Sequence, residues 1–269
     1  TATSLHNLAA LLYNKGDYDG AEPLYRRALD IFEKVLGRDH PKTASTFHKM
    51  GELFHSKGDY GGAESHLKSS LAIREKVLGM EHSDTGTSLN SMALLLEDKE
   101  DYDSAEPLYR SALAICEKVH GEEHKDTATC LNNLAILLYR KGDYAGAESL
   151  CHRALAIREK VLGAEHPDTL QSITWLAYLI GRRGDYTTAE SLYRRALKGY
   201  ERLEGLEHST TLTVVNHLAE LLFTKGDYVA AEPLFRRALD IREKVLGKDH
   251  RDTITTIYNL AQLLRDKGE

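Results

Sequence analysis

Gly16-Asp17-Tyr18 returns as Gly58-Asp59-Tyr60, Gly142-Asp143-Tyr144, Gly184-Asp185-Tyr186 and Gly226-Asp227-Tyr228, with Glu100-Asp101-Tyr102 in the one slot where glycine is lost. The interval is 42 residues throughout. Each copy is followed by Ala-Glu, from Ala21-Glu22 to Ala231-Glu232, and later by a glycine and a histidine that close the unit. Self-similarity at a fixed period of this length signals a solenoid, in which each unit buries its apolar face on its neighbours. The pattern divides the 269 residues into a single array of six units, 1–42, 43–84, 85–126, 127–168, 169–210 and 211–252, with a terminal capping helix in 253–269.

Within residues 43–84, Phe47, Met50, Gly51, Leu53 and Phe54 mark one face of a helix. That helix closes on Lys57-Gly58, a cation that complements the macrodipole and a glycine suited to a left-handed cap. Asp59-Tyr60 opens a second helix, with Ala63, Leu67, Leu71, Ile73, Val77 and Leu78 on its apolar face, and Gly79 stops it. First helices are expected over about 2–15, 43–57, 85–99, 127–141, 169–183, 211–225 and 253–266, and second helices over 18–36 and its equivalents. Small residues recur at Ala9, Gly51, Ala93, Ala135, Ala177, Ala219 and Ala261, and at Ala21 and Ala28 and their equivalents. They belong where two helices approach closely. Glu22–Arg26, Glu64–Lys68, Glu106–Arg110, Glu190–Arg194 and Glu232–Arg236 read as solvated pairs four apart, each worth a few tenths of a kcal/mol (~0.3). Pro23, Pro107 and Pro233 sit near the start of the second helix, and Pro41 and Pro167 suit the first turn of the first helix. Gly199, inside a second helix, costs about 1 kcal/mol relative to alanine and predicts a bend or a flexible fifth unit.

Lys and Arg number 35 against 41 Asp and Glu, a net charge of -6 that argues against nucleic acid as a partner. No apolar run reaches the length of a membrane span, and the chain opens on repeat register, so neither a membrane nor a signal segment is expected. Cys116, Cys130 and Cys151 form no CxxC pair and are too irregular for a disulfide framework, which reads as buried thiols in a reducing cytoplasm.

Leu8-Ala9, Leu12, Gly16, Tyr18, Ala21, Tyr25 and Ala28 resemble the tetratricopeptide repeat (TPR) signature. The usual period is 34 residues, so eight extra residues lengthen the second helix and its exit. Asn132 to Ala135, Ala21 to Leu29, and Arg158 to Thr169 resemble the longer kinesin light chain and nephrocystin class. The resemblance implies an all-α fold, a right-handed superhelical solenoid of antiparallel helix pairs. It also implies a non-catalytic, adaptor-type scaffold that binds a protein or peptide in a concave groove lined by first helices. The alternative is a sensor segment of a larger enzyme, such as a STAND-type NTPase or a caspase-like protease. A third reading is an architectural spacer whose groove binds nothing. No cofactor and no small-molecule substrate are expected.

By the same resemblance, the groove slots are His6-Asn7, His48-Lys49, Asn90-Ser91, Asn132-Asn133, Thr174-Trp175, Asn216-His217 and Tyr258-Asn259. An asparagine amide both donates and accepts, so it can hold a peptide backbone without selecting a side chain; plain solvated polar residues are the other reading. Trp175, the one tryptophan, stands in a slot that is otherwise polar, with Tyr178, Arg140 and Arg182 nearby by register. It is either an exposed aromatic anchor with an arginine rim or a ring folded back onto the neighbouring helix. The candidate groove residues are therefore Asn7, His48, Asn90, Asn132, Asn133, Arg140, Trp175, Tyr178, Arg182, Asn216, His217 and Asn259. Six of the thirteen histidines (His40, His82, His124, His166, His208 and His250) share one slot between units. Equivalent atoms lie about 18–20 Å apart at 8–10 Å per helix contact, whereas the ligands of one ion sit about 2 Å from it. That set cannot share a metal, and a local bridge between consecutive helices is its expected role. No H-E-x-x-H, Gly-rich phosphate loop or G-x-S-x-G occurs, so no catalytic residue is assigned.

Overall fold

The computed structural model describes residues 1–268, which form thirteen helices and, among the described residues, no strand. The first helices of the units are α1 (Ala2–Asn14), α3 (Pro41–Ser56), α5 (Ser83–Asp98), α7 (Lys125–Arg140), α9 (Pro167–Arg182), α11 (Ser209–Lys225) and α13 (Arg251–Lys267). The second helices are α2 (Tyr18–Leu36), α4 (Tyr60–Leu78), α6 (Tyr102–His120), α8 (Tyr144–Leu162), α10 (Tyr186–Leu203) and α12 (Tyr228–Val245). Two compact units divide the chain, Thr1–Asp143 and Tyr144–Glu269. Within each, a helix packs on the next, and first helices also touch one another: α1 with α3, α3 with α5 and α5 with α7, then α9 with α11 and α11 with α13. Among the described residues, no helix is long and apolar enough to cross a membrane.

The second helices begin where Asp-Tyr places them, because Asp17, Asp59, Asp101, Asp185 and Asp227 each accept the backbone N–H three residues on, at 2.9–3.2 Å. From α3 onward, the first helices begin two residues earlier than periodicity predicts. The between-unit histidine is their N-cap: Nδ1 of His40, His82, His124, His166, His208 and His250 accepts the backbone N–H two residues on, at 3.1–3.4 Å. The bridge to the preceding helix is the threonine after it. Thr43, Thr85, Thr127 and Thr211 donate to the carbonyls of Gly37, Gly79, Gly121 and Gly205 at 2.8–2.9 Å. Those glycines stop the second helices at φ near +90°, and ψ near +165° at Gly37 and Gly79 is a region essentially reserved for glycine.

The small residues lie where the repeat puts them. Ala9, Ala21, Ala28, Ala63, Ala93, Ala105 and Ala112 in the first unit, and Ala177, Ala189, Ala196, Ala219, Ala231 and Ala238 in the second, are fully buried; Ala261, in the last helix, is exposed. Their register partners in the second helices are the large buried Tyr25, Tyr109, Tyr193 and Phe235. In α3 and α4 the pair becomes Gly51 and Leu67, and a Cβ on Gly51 would stand 2.6 Å from Leu67 Cγ. A side chain branched at Cγ thus takes the space that alanine occupies elsewhere.

Three expectations change. The glutamates of the i,i+4 pairs do more than decorate one helix, because each also receives a cation from the end of the following first helix. Lys57, Lys99, Lys141, Lys225 and Lys267 donate to Glu22, Glu64, Glu106, Glu190 and Glu232 at 2.6–2.9 Å, and Arg183 meets Glu148 at 2.8 Å. Gly199 does not break α10; a Cβ there would lie 2.5 Å from Leu170 Cδ2, so the glycine admits α9. Pro23, Pro107 and Pro233 lie inside α2, α6 and α12, past the first turn, and the helices run through them.

Gly51→Ala is expected to destabilise the chain by about 1–2 kcal/mol through overpacking, although alanine is the better helix former. Adding Leu67→Tyr, which restores the pair used by neighbouring units, should recover most of that loss in urea melts. Glu100, at φ +62°, is the one non-glycine residue with positive φ among the described residues. Glu100→Gly should therefore gain roughly 0.5–1 kcal/mol, read as a higher denaturation midpoint.

Candidate functional site

The twelve candidate groove residues divide between the two units and are placed very differently. In the first unit, Asn7 is exposed, whereas His48 and Asn132 are buried, 3% and 6% exposed. His48 Nε2 stands 3.2 Å from Glu52 Oε1, and Lys49 reaches the other oxygen at 2.6 Å. Burial pushes the Glu52 carboxyl up, but His48 and Lys49 outweigh it and hold the group at about 2. Asn133 Nδ2 donates to Asn90 Oδ1 at 2.8 Å, joining two candidate residues on adjacent first helices. Arg140 Nε lies 3.0 Å from Glu97 Oε1, and Tyr109 donates to Glu97 Oε2 at 2.8 Å. Burial raises Glu97 above the usual carboxylate value despite both donors.

In the second unit the candidates gather. Trp175 and Tyr178 are half-buried and stack, with ring centroids 5.3 Å apart and planes 18° from parallel. Tyr178 continues into a cavity of about 250 Å³ shared by α9, α10 and α11, where Arg182, Tyr186, Tyr193 and His217 also meet. Tyr193 and His217 rings lie 6.0 Å apart. Burial, reinforced by Arg242, lowers His217 below the usual imidazole value even though Glu220 opposes it. Asn216 is buried and does not face outward; its Nδ2 donates to Glu220 Oε1 at 2.6 Å, and Asn259 Nδ2 reaches the same oxygen at 2.6 Å. Asn216 and Asn259 thus anchor a carboxylate between α11 and α13, with their amide nitrogens already engaged.

Two residues that shape this site escape a search for groove-facing polar slots. Glu220 occupies the register of Glu52, and each takes a donor from the residue four before it. Gly181 lines the cavity in a slot filled elsewhere by Tyr13, His55, Glu97, Tyr139, Phe223 and Arg265. A Cβ there would stand 2.8 Å from Leu221 Cδ1, so the glycine lets Leu221 of α11 pack close against α9 at the edge of the cavity. The sequence signal was available, since Gly181 is the one glycine in that register.

A cavity of this size falls below the roughly 300–1,000 Å³ of small-molecule sites and is scaled to one protruding side chain. Its walls are aromatic, its rim carries the exposed Arg182, and its floor carries a carboxylate held by two amides.

No curated protein matches the chain in sequence. Among solved structures, BtubC (BKLC) from P. vanneervenii is 26% identical with a TM-score of 0.66, over 75% of this chain and 80% of that one. A putative kinesin light chain with nearly identical TPR-like repeats from Podosopora anserina is 24% identical with a TM-score of 0.69, over 77% and 98% of the two chains. A STAND protein with a tetratricopeptide repeat sensor from Pyrococcus horikoshii reaches a TM-score of 0.78 at 15% identity, over all of this chain but 39% of that one. Tetratricopeptide repeat patterns match residues 1–76 and 210–269, and further ones match 85–126, 127–168 and 169–210. With the helix pairs, the buried small residues and the glycine stops, these matches place the chain in the tetratricopeptide repeat family, as a scaffold of the protein-interaction type.

Proposed function

We propose that the chain is an adaptor that binds an extended peptide of a partner protein across its first helices, anchored in the second unit by one apolar side chain in the cavity between α9, α10 and α11. The observation that carries this reading is the stack of Trp175 on Tyr178 beside a cavity that Tyr178, Gly181 and Arg182 line together. An aromatic surface beside a side-chain-sized cavity with an arginine at its rim has the composition of an interface hot spot. The peptide's anchor enters among Tyr178, Tyr186 and Tyr193, and its backbone or an acidic flank meets Arg182. In the first unit, taken by itself, Asn7 is exposed and Asn133 donates to Asn90, whereas His48 and Asn132 are buried. The adaptor role of the kinesin light chain type rests on the 42-residue period and on the resemblance of Asn132 to Ala135 and Arg158 to Thr169 to that class.

The test uses peptides selected by display against the whole chain. Trp175→Ala should weaken the selected peptides by at least about 2 kcal/mol, roughly 30-fold in Kd, with helicity unchanged. Gly181→Tyr, which installs the residue found at this slot in the first and fourth repeats, should close the cavity and abolish binding. Peptides that bind both variants as they bind the parent would place the site elsewhere.

A further inference from the structure

The third repeat departs from the second, fourth and sixth at three positions that meet in one place. In the second, fourth and sixth repeats, an arginine near the end of the second helix is buried. Arg74, Arg158 and Arg242 each donate Nη1 to a carbonyl at the start of the next first helix (Asp84, Asp168 and Asp252) at 2.8–3.1 Å. The same nitrogens reach the hydroxyls of Ser88, Ser172 and Thr256 at 2.7–2.8 Å. In the third repeat the arginine is Cys116 and the hydroxyl residue is Cys130. One turn past Cys116, where Leu36, Leu78, Leu162 and Leu246 stand in other repeats, is His120.

Without the guanidinium, a cavity of about 200 Å³ remains, and Cys116, His120, Asp126 and Cys130 all line it. The two sulfurs point into the same space, 2.6 Å apart. His120 Nε2 lies 3.8 Å from Asp126 Oδ2 and 3.3 Å from Ser83 Oγ. Ligand atoms of His120, His124 and Asp126 all fall within 4.8 Å of one another. Cys116 and His120 are four apart on α6, and Asp126 and Cys130 are four apart on α7, the spacing that sets two side chains on one helix face.

We propose that Cys116, His120, Asp126 and Cys130 form a site for a transition-metal ion of the Zn²⁺ class. Two thiolates, an imidazole and a carboxylate give a soft-to-borderline tetrahedral donor set, which selects zinc over magnesium or calcium. Thiolates on one such ion stand about 3.8 Å apart when each bond is about 2.3 Å, so the half-buried Cys116 turns away from Cys130 by roughly 1 Å to admit it. Binding releases the two thiol protons to solvent as the sulfurs become ligands. The site is separate from the between-unit histidines: His120 occupies a different slot, and His124 uses Nδ1 to cap α7. The ion would replace the arginine bridge, tying the end of α6 to the start of α7 by coordination.

The test uses the whole chain, kept reduced and stripped with a chelator, with Co²⁺ alone and then Zn²⁺ alone as probes. One equivalent of Co²⁺ should produce thiolate-to-metal absorption in the near ultraviolet and tetrahedral bands in the visible, and Zn²⁺ should displace both. Saturating Zn²⁺ should raise the Tm by about 5 °C or more. Two variants borrow residues from the other repeats and should therefore fold. The double variant Cys116→Arg/Cys130→Ser restores the arginine–serine pair, and His120→Leu restores the leucine. Both should keep native helicity and lose the cobalt bands. The proposal fails if the reduced parent shows no cobalt–thiolate absorption and no Zn²⁺-dependent rise in Tm, or if both variants retain the bands. Recovery of Cys116 and Cys130 as a disulfide that reductant cannot open in the folded chain also overturns it.

Discussion

Everything in this chain hangs on how one helix pair hands over to the next. The exit glycine of a second helix adopts a backbone conformation that costs other residues dearly, and its carbonyl is taken by a threonine six residues on. Between them a histidine caps the new helix. Three side-chain requirements therefore fix the direction of the chain within a handful of residues. Because the histidine cap recurs at all six boundaries and the threonine bond at four of them, small residues in one helix meet large ones in the next at a constant register. The Lys–Glu contacts on the outside, each shared with an i,i+4 partner, follow from that register. They are exposed, so they refine the packing rather than drive it.

A repeated unit also supplies its own internal comparison. Where three copies carry an arginine bonded to a serine or threonine hydroxyl, two cysteines in the same slots of another copy are informative in a way that a lone pair of cysteines elsewhere would not be. Where six copies carry a side chain and one carries glycine, Leu221 of the next first helix takes the vacated position at the edge of the cavity. Packing slots hold to a narrow set of residue types because a change of one methylene is felt in a close-packed interior. Slots on the first-helix surface vary freely, and function is free to differ from copy to copy there.

The architecture was largely legible before any coordinates. The period, the glycine stops and the buried alanines are one-dimensional signals, and the second helices begin where Asp-Tyr places them. The first helices from α3 onward start two residues early because a histidine cap leaves no apolar periodicity to read; only the geometry of Nδ1 reveals it. The role of the outer glutamates was read too narrowly for a related reason. Pairs four apart are visible along a sequence, whereas a lysine some 35 residues later is not. Gly199 looked like a weakness because propensity is local, and its partner Leu170 lies on another helix.

The candidate site shows where such reading stops. The tryptophan in a polar slot lies on α9 and stacks on Tyr178, with Arg182 on the same helix. The asparagines chosen for their two-sided hydrogen bonding are partly spent inside the layer, with Asn216 and Asn259 sharing one oxygen of Glu220. Groove slots specify which face a residue occupies, not how deep it sits, and depth depends on the bulk of neighbours one repeat away. Beside Gly181 lies a cavity lined by Tyr178, Tyr186 and Tyr193, whereas Glu97 in the equivalent slot is engaged by Tyr109 and Arg140. Equivalent positions thus become a cavity in one unit and a buried carboxylate network in the other. The chemistry of one slot therefore differs from copy to copy while the packing positions on either side of it keep their register.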